Sequence, residues 1–307
     1  MKPRLLSLWA KNLGRLTSLA VGAAFIGCSP EPEVVAYCAQ DQVYAEPIFA
    51  DFTRTTGIRV RAVYDSEAVK TVGLANRILA ESPHPVADVF WGNEEFHTRR
   101  LAAAGAFRAT NGWIAFGQRS RRLTADPSRQ HWLGPEVTGL TNAALRGRVS
   151  LAAPWFGSTA THFAALRAIW GAGRWQAWCR ALAANQVFLE EGNSQVTQRV
   201  ARGDAWVGLT DSDDLQAARR EGLNLVAGPA LWPIRNTVAV LREAPHPVAA
   251  QALFLFLQSA AVHQALAKAG ALEVVPPDAT TTPAPPWEVM LHDFDLTLKE
   301  LREFFQP

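Results

Sequence analysis

Hydrophobic and polar positions alternate along the chain in two periods, which predict strands and helices that follow one another in turn. Residues 34–38 form a short apolar run, and residues 58–64 alternate as a half-buried strand does. Helical spacing predicts a helix over 44–52 and a second helix over 68–80, and the apolar segment 87–92 follows as a third strand. A β-α-β-α-β order requires parallel pairing through right-handed crossovers, so we expect these strands to end at one edge of a sheet.

The same order returns in the second part of the chain. Three predicted strands each lead directly into the start of a helix, and they lie at 149–152, 186–189 and 205–209. A last strand is predicted at 233–240, and the remaining helices at 96–104, 247–258, 261–269 and 287–305. Residues 122–143 show neither period, so no element is assigned there. The sequence therefore predicts an α/β protein with two groups of parallel strands.

Length, charge and motifs narrow the class of protein. A chain of 307 residues more often makes two domains than one. The net charge of +2, with 19% charged residues, gives no indication of a nucleic-acid partner. The sequence contains no Gly-x-x-x-x-Gly-Lys phosphate loop, no Gly-x-Ser-x-Gly elbow, no His-Glu-x-x-His and no Cys-x-x-Cys. It therefore excludes a P-loop ATPase and does not support the common hydrolase classes.

The N-terminal segment predicts export. Residues 1–28 combine four basic residues with the apolar run LTSLAVGAAFIGC, which is too short to span a bilayer and is typical of a secretory signal. The end of this run, FIGC, resembles the lipobox of bacterial lipoproteins and would make Cys28 a lipidated N-terminus; ordinary cleavage nearby is the alternative. An exported protein permits disulfides, but Cys38 and Cys179 lie far apart, and we expect two small buried thiols.

Polar residues follow the predicted strand ends, where parallel α/β sheets bind their ligands. In the first part of the chain these residues are Asp41, Asp65, Glu67, Asn93 and Glu94. Any one of them is also explained as a solvated loop residue. Because the predicted topology brings all five residues to one edge of the sheet, a binding site is favoured.

An acidic loop, Thr-Asp-Ser-Asp-Asp at 210–214, follows a strand of the second part. Its carboxylates are hard oxygen donors that suit a metal ion or a polar ligand. Aspartates at a helix start are also what the helix dipole favours without any ligand. The same two interpretations apply to Asn193 and Ser194, which open the preceding predicted helix.

A further helix start, Gly-Ser-Thr-Ala-Thr-His at 157–162, is a candidate anion site. Unpaired N–H groups and the hydroxyls of Ser158 and Thr159 would surround an anion beside Gly157. The alternative is that Ser158 or Thr159 only caps the helix. Two arginines, Arg119 and Arg121, would add positive charge, or would form an ion pair between domains.

Two segments carry a resemblance to a known family. DSEAVKTVGLANRILAE at 65–81 and ADVFWGNE at 87–94 resemble the periplasmic solute-binding proteins of bacterial ABC importers. The similarity is greatest to the iron(III)-transport, or ferric-binding, branch. Relatives also carry a Gly-Ser/Thr-Thr-Ala-Thr-His segment like the one at 157–162, which favours its functional interpretation.

The resemblance implies the two-lobe type II periplasmic-binding-protein fold. Each lobe would be a mostly parallel sheet flanked by helices, and crossover strands would form the hinge. Lobe 1 would consist of 34–112 and 235–282, and lobe 2 of 113–234 and 283–307. The protein would act as a monomer without a cofactor or catalytic residues, capture a small ligand between the lobes, and deliver it to an ABC permease and ATPase. It would lie in the periplasm, attached to the membrane only through a lipid anchor.

The ligand is less closely defined than the family. Ferric-binding relatives hold iron with adjacent tyrosines in the second lobe, whereas this chain has the acidic loop there and no tyrosine after Tyr64. We therefore take Asp41, Glu94, Asp211 and Asp213 as candidate ligands for Fe³⁺ or a related metal, held with an anion. A small organic or phosphorus-containing anion is the alternative ligand, and an exported metal-dependent hydrolase is the less favoured class.

Overall fold

The computed structural model describes residues 32–65, 70–82, 84–109, 112–274 and 285–306. Three expectations fall outside these residues: the signal segment 1–28, lipidation at Cys28, and a ligand role for Glu67. They stay predictions.

Eight strands form the sheet of the described chain. In chain order they are β1 (Glu33–Cys38), β2 (Arg59–Val63), β3 (Val89–Gly92), β4 (Trp113–Ala125), β5 (Val149–Ala152), β6 (Phe188–Glu190), β7 (Val207–Asp211) and β8 (Val226–Val240). They lie side by side in the order β2-β1-β3-β8-β4-β7-β5-β6. The sheet is mixed, as expected for the type II fold.

Pairing divides this sheet into two halves. β1 pairs in parallel with β2 and β3, and β5 pairs in parallel with β6 and β7, as the strand–helix order predicts. We call β2-β1-β3 with its helices the first half, and β7-β5-β6 with its helices the second half. The long strands β4 and β8 are antiparallel to one another and connect the halves. The expected mixed α/β architecture is therefore confirmed, whereas the assignment of residue ranges to lobes stays a prediction.

Ten α-helices flank the described part of the sheet. They are α1 (Gln42–Thr56), α2 (Lys70–Ala80), α3 (Glu95–Ala103), α4 (Gly157–Trp170), α5 (Ala172–Ala184), α6 (Asn193–Ala201), α7 (Ser212–Arg220), α8 (Pro247–Leu257), α9 (Ala260–Ala269) and α10 (Trp287–Phe305). Among the described residues no single helix is long and apolar enough to cross a membrane; α8 and α9 reach that length and composition together, but across a 60° bend.

Sequence periodicity missed several elements. Residues 122–143, which show neither period, contain most of three short 3₁₀ helices. These are Pro127–Trp132, Val137–Thr141 and Ala143–Leu145. Such short helices bury too few residues to leave a period. The sequence also does not predict helix α5, and β8 begins at Val226, before the predicted start at 233, and pairs with β4 across several register shifts.

Each half has its own hydrophobic core. The first packs α1, α8 and α9 against β1, and the second packs α4, α5 and α10 against β5 and β7. Cys38 lies in the first core and Cys179 in the second, both as buried thiols, as predicted.

The contact between α6 and β7 depends on Gly208. A Cβ atom added there would lie 2.6 Å from Cγ1 of Val196 and 2.9 Å from Cγ2 of Val200, both on α6. Valine side chains have little rotational freedom in a helix, so α6 itself would have to move. We expect Gly208→Ala to lower the free energy of unfolding by about 1–3 kcal/mol in urea denaturation. Gly139→Ala is the matched control, since nothing lies within 4 Å of its added Cβ; equal losses would contradict the prediction.

Candidate functional site

One cavity of about 80 Å³ lies where the parallel strands of both halves end. Most of the predicted site residues line it, namely Asp41, Asn93, Glu94, Arg119, Gly157, Ser158, Thr159, Asn193, Asp211 and Asp213. The two groups of strands, which were predicted separately, thus contribute to a common site. This is the edge at which open α/β sheets bind ligands.

Three described candidates do not line the cavity. Asp65 is exposed after β2. Ser194 is the second residue of α6, where its hydroxyl lies 3.0 Å from Gln195 Oε1 and its carbonyl accepts the Thr197 hydroxyl. Arg121 is fully buried behind the cavity wall.

An ion pair with Arg121 supports the cavity wall at Asp211 from behind. The antiparallel register of β4 and β7 places the two residues directly opposite one another. Nη1 of Arg121 lies 2.6 Å from Oδ1 of Asp211, and the Ser158 hydroxyl donates to Oδ2 at 2.7 Å. Although burial disfavours the charge, the guanidiniums of Arg121 and Arg119 hold the pKa of Asp211 below its usual range. Both oxygens of Asp211 are therefore occupied inside the protein.

Arg119 connects the halves across the cavity. Its Nη1 donates to the backbone oxygen of Asn93 at 2.7 Å and to Oδ1 of Asn236 at 3.1 Å, and it also contacts the Asn93 side chain. On its other side, Nη2 lies 3.4 Å from Asp211 and Nε lies 3.2 Å from Oδ1 of Asp213. Side chains alternate along β4, so Arg119 and Arg121 share the cavity face of this strand.

Asp213 and its neighbour Asp214 are the other two carboxylates of the acidic loop. Asp213 is 5% exposed; its Oδ1 is ion-paired with Nε of Arg119 at 3.2 Å but accepts no hydrogen bond from the described residues. Burial raises the pKa of Asp213 to about 7; Arg119 opposes this shift, and Asp211 and Asp41 add to it. Burial, together with Asp213, also raises the pKa of Asp214 well above its ordinary value. One carboxylate oxygen each of Asp211, Asp213 and Asp214 lie within 4.8 Å of one another, a spacing that a metal ion can bridge.

The carboxylate of Glu94 is held by residues of α3 and α4. Its carboxylate caps α3 by accepting the N–H groups of Phe96 at 2.8 Å and His97 at 3.0 Å. The hydroxyl of Thr161 on α4 donates to the same carboxylate at 3.1 Å, which joins the two halves. Burial raises the pKa of Glu94 to about 7. The geometry gives Glu94 a role in holding the halves together.

The start of α4 carries a hydroxyl, that of Thr159, which is a candidate hydrogen-bond donor to a ligand. Gly157 has a φ of 52° and Phe156 is the N-cap, so neither Ser158 nor Thr159 caps the helix. Ser158 is bonded to Asp211. Thr159 is 1% exposed, lines the cavity, and its hydroxyl has no hydrogen-bond partner among the described residues. Thr159 is therefore the hydroxyl available to a ligand or to its water.

Several cavity residues were not assigned from the sequence. Thr71, Glu191 and Asp214 line the cavity as well. Asp214 belongs to the acidic loop, and Glu191 lies two residues before Asn193. Only the structure shows that both line the cavity. Thr71 lies near the start of α2, where nothing in the pattern marks it.

Solved structures with the same fold include ferric-binding proteins. Iron-bound HitA from Pseudomonas aeruginosa is 21% identical with a TM-score of 0.76, over 89% of this chain and 99% of that chain. Apo ferric ion-binding protein A from Pasteurella haemolytica is 18% identical with a TM-score of 0.74, over 90% and 98%. The Trichodesmium protein IdiA (FutA), in complex with iron and citrate, is 16% identical with a TM-score of 0.69, over 89% and 99%. These similarities confirm the fold.

The family follows from the sequence itself. A search of curated proteins found no match. The model of the bacterial extracellular solute-binding protein family matches residues 34–272, which is most of the chain and includes every described residue that lines the cavity. The chain belongs to the bacterial extracellular solute-binding proteins.

Proposed function

We propose that this protein is the solute-binding component of an ABC importer and captures a metal cation, iron(III) or a related metal held with an anion, in the cavity between the sheet halves. The observation that carries the proposal is the acidic loop, in which the buried Oδ1 of Asp213, 3.2 Å from Nε of Arg119, accepts no hydrogen bond from the described residues. Solved proteins of the same fold are described as bound to iron, and one to iron with citrate.

Electrostatics supports a cationic ligand. Burial is the main cause of the raised pKa values of Asp213 and Asp214, and repulsion from neighbouring carboxylates, Asp41 among them, adds to both. A cation placed among them would favour the ionised carboxylates and remove the repulsion. Arg119 already supplies part of this compensation at 3.2 Å from Asp213. The cavity therefore has an excess of negative charge that a bound cation would balance.

We assign different roles to the four candidate metal ligands. Asp213 and Asp41, with Asp214 added, line the cavity and would contact the cation. Asp211 fixes the wall through Arg121 and Ser158, and Glu94 joins α3 to α4. An anion bound with the metal would lie at the start of α4, beside the Thr159 hydroxyl.

Transport requires no chemistry at this site. Lobes 34–112 with 235–282 and 113–234 with 283–307 would close over the solute, since a ligand that binds the closed state better shifts the equilibrium towards it. The permease and ATPase would be separate proteins, and Cys28 would carry the lipid anchor in the periplasm. Family membership supports a transport binding protein rather than an enzyme.

A second candidate ligand is a small organic or phosphorus-containing anion. The Thr159 hydroxyl at the start of α4, which has no hydrogen-bond partner among the described residues, favours it, as does the guanidinium of Arg119 on the same cavity. The two candidates differ in whether binding requires the carboxylates or the helix start.

A thermal-shift experiment on the metal-free protein distinguishes them. We expect Fe³⁺ with citrate or carbonate, or another metal ion, to raise the melting temperature; a ligand at a hundred times its Kd adds about 2.7 kcal/mol. Asp214→Asn should abolish the shift, whereas Asp295→Asn, on the exposed side of α10, should keep it. If the melting temperature rises only with phosphate or a small carboxylate, and this rise is lost in Thr159→Val, the ligand is the anion and not the metal. No shift with any ligand would contradict both.

A further inference from the structure

We infer that a second space between the two halves sets how readily they close over a ligand. It lies on the face of β4 opposite the cavity, and we call it the rear groove. The residues that line it include Gln216 and Arg220 of α7, and Ala267 and Gly270 of α9. The inference rests on the proposed capture of a solute by closure of the halves.

The two sides of the rear groove belong to different halves. Helix α7 packs into the second half, where Leu215 and Ala218 share a buried cluster with Val200 of α6. Helix α9 packs into the core of the first half through Val262 and Leu266. The strand pair β4 and β8 connects the halves between these two sides. The width of the groove therefore depends on the angle between the halves.

Neighbouring residues alternate between the cavity and the rear groove. On β4, Arg119 lines the cavity, whereas Gln118 lines the groove. In the acidic loop, Asp211 and Asp213 line the cavity, and Ser212 between them lines the groove. Successive side chains of a strand point to opposite faces, so β4 separates the two spaces. A rotation about β4 and β8 that narrows the cavity therefore widens the groove.

Arg220 crosses the rear groove as a spacer. Its guanidinium lies so close to Gly270, the C-cap of α9, that a Cβ atom added there would overlap Nη2. A cation is favourable at this end of a helix, where the last carbonyl groups carry partial negative charge. A side chain that spans the groove disfavours every arrangement in which the groove is narrower and the cavity wider.

The rest of the rear groove is open space that can be filled. Its volume of about 530 Å³ is in the range of small-molecule pockets, so it accommodates an aromatic side chain. The measured affinity of a ligand that binds only the closed arrangement falls with the fraction of protein that is closed in its absence. A bulky side chain in the groove would raise that fraction, and loss of Arg220 would lower it.

Calorimetric titration and small-angle X-ray scattering of groove variants test the inference, with ferric citrate, MnCl₂ and sodium phosphate as probes. Ala267→Trp fills the groove from α9 and Gln216→Trp fills it from α7, so the second variant decides if the first does not fold. We expect each folded variant to bind at least one probe at least threefold more tightly than the wild type. The ligand-free variants should also have a smaller radius of gyration. Ala265→Trp, exposed on α9 outside the groove, should match the wild type in both measurements.

Arg220→Ala should have the opposite effect, a larger radius of gyration and at least threefold weaker binding. Removing its charge would by itself strengthen the binding of Mn²⁺, so weaker Mn²⁺ binding reports the loss of the spacer. Unchanged affinity and radius in the groove variants, or equal changes in Ala265→Trp, would overturn the inference and keep the proposed metal capture. If no probe binds the wild type, the proposed metal capture fails and the radius of gyration decides the inference: a smaller value in the groove variants supports it, and an unchanged value overturns it.

Discussion

Replacement of Arg121 by Met is expected to lower the free energy of unfolding by about 3–5 kcal/mol, as for other buried ion pairs that lose one partner. Arg121 is completely buried, and its Nη1 lies 2.6 Å from Asp211. The variant would leave the Asp211 carboxylate buried with only Ser158 and the more distant Arg119 to stabilise its charge. Urea denaturation should show a lower midpoint with an unchanged slope.

The next residue of β4 supplies a matched control. Arg122 points to the opposite face of the strand, is 26% exposed, and pairs with Glu273 at 2.8 Å. Arg122→Met should cost less than Arg121→Met, about 1 kcal/mol, since an ion pair that stays partly in contact with solvent contributes little. The double variant Arg121→Met with Asp211→Leu should recover much of the loss because no charge stays buried. Equal losses at Arg121 and Arg122 would show that the wall does not depend on this ion pair.

Asp213→Asn is expected to have the opposite effect on stability, an increase on the order of 3 kcal/mol at pH 8, while abolishing the response to metal. Burial raises the pKa of Asp213 from 3.8 to about 7 in the folded protein. The unfolded chain therefore loses this proton first as the pH rises. The contribution to stability is fully present below about pH 4 and is lost as the pH rises to about 7.

Chemical denaturation of the metal-free protein at pH 4, 5 and 8 measures this effect. The wild type should lose stability between pH 4 and pH 8, and Asp213→Asn should show a smaller fall. Asp295→Asn, exposed on α10, should follow the wild type. A wild-type protein that gains stability from pH 4 to pH 8, or a variant that is less stable than the wild type at pH 8, would contradict the prediction.

Much of the fold was predictable because strands and helices bury their apolar residues with different periods. The strand at 149–152 and the helix at 287–305 have the bounds that the sequence predicts. The convergence of the strand ends on one edge follows from the strand–helix order alone, since parallel pairing leaves no other arrangement. The position of the cavity could therefore be predicted from the sequence to within a few loop residues.

The different roles of the carboxylates could not be predicted from the sequence. Asp211 and Asp213 are two residues apart and look equivalent in the sequence, but Asp211 lies opposite Arg121 in the sheet register, whereas Oδ1 of Asp213 accepts no hydrogen bond from the described residues. Glu94 is held by α3 and by Thr161. These differences arise from partners that are distant in sequence, which a local pattern cannot supply.

The antiparallel pairing of β3 with β8 has a consequence for the order of folding. Val89 pairs with Val240, so one edge of β3 lacks its partner until almost the whole sheet has been synthesised. An open strand edge of this kind is a site for wrong pairing with other chains. The long separation also makes the closing contact slow to form. A ribosome-bound chain that ends before residue 226 is therefore unable to complete its first half, and late folding would keep an exported chain unfolded while it crosses the membrane.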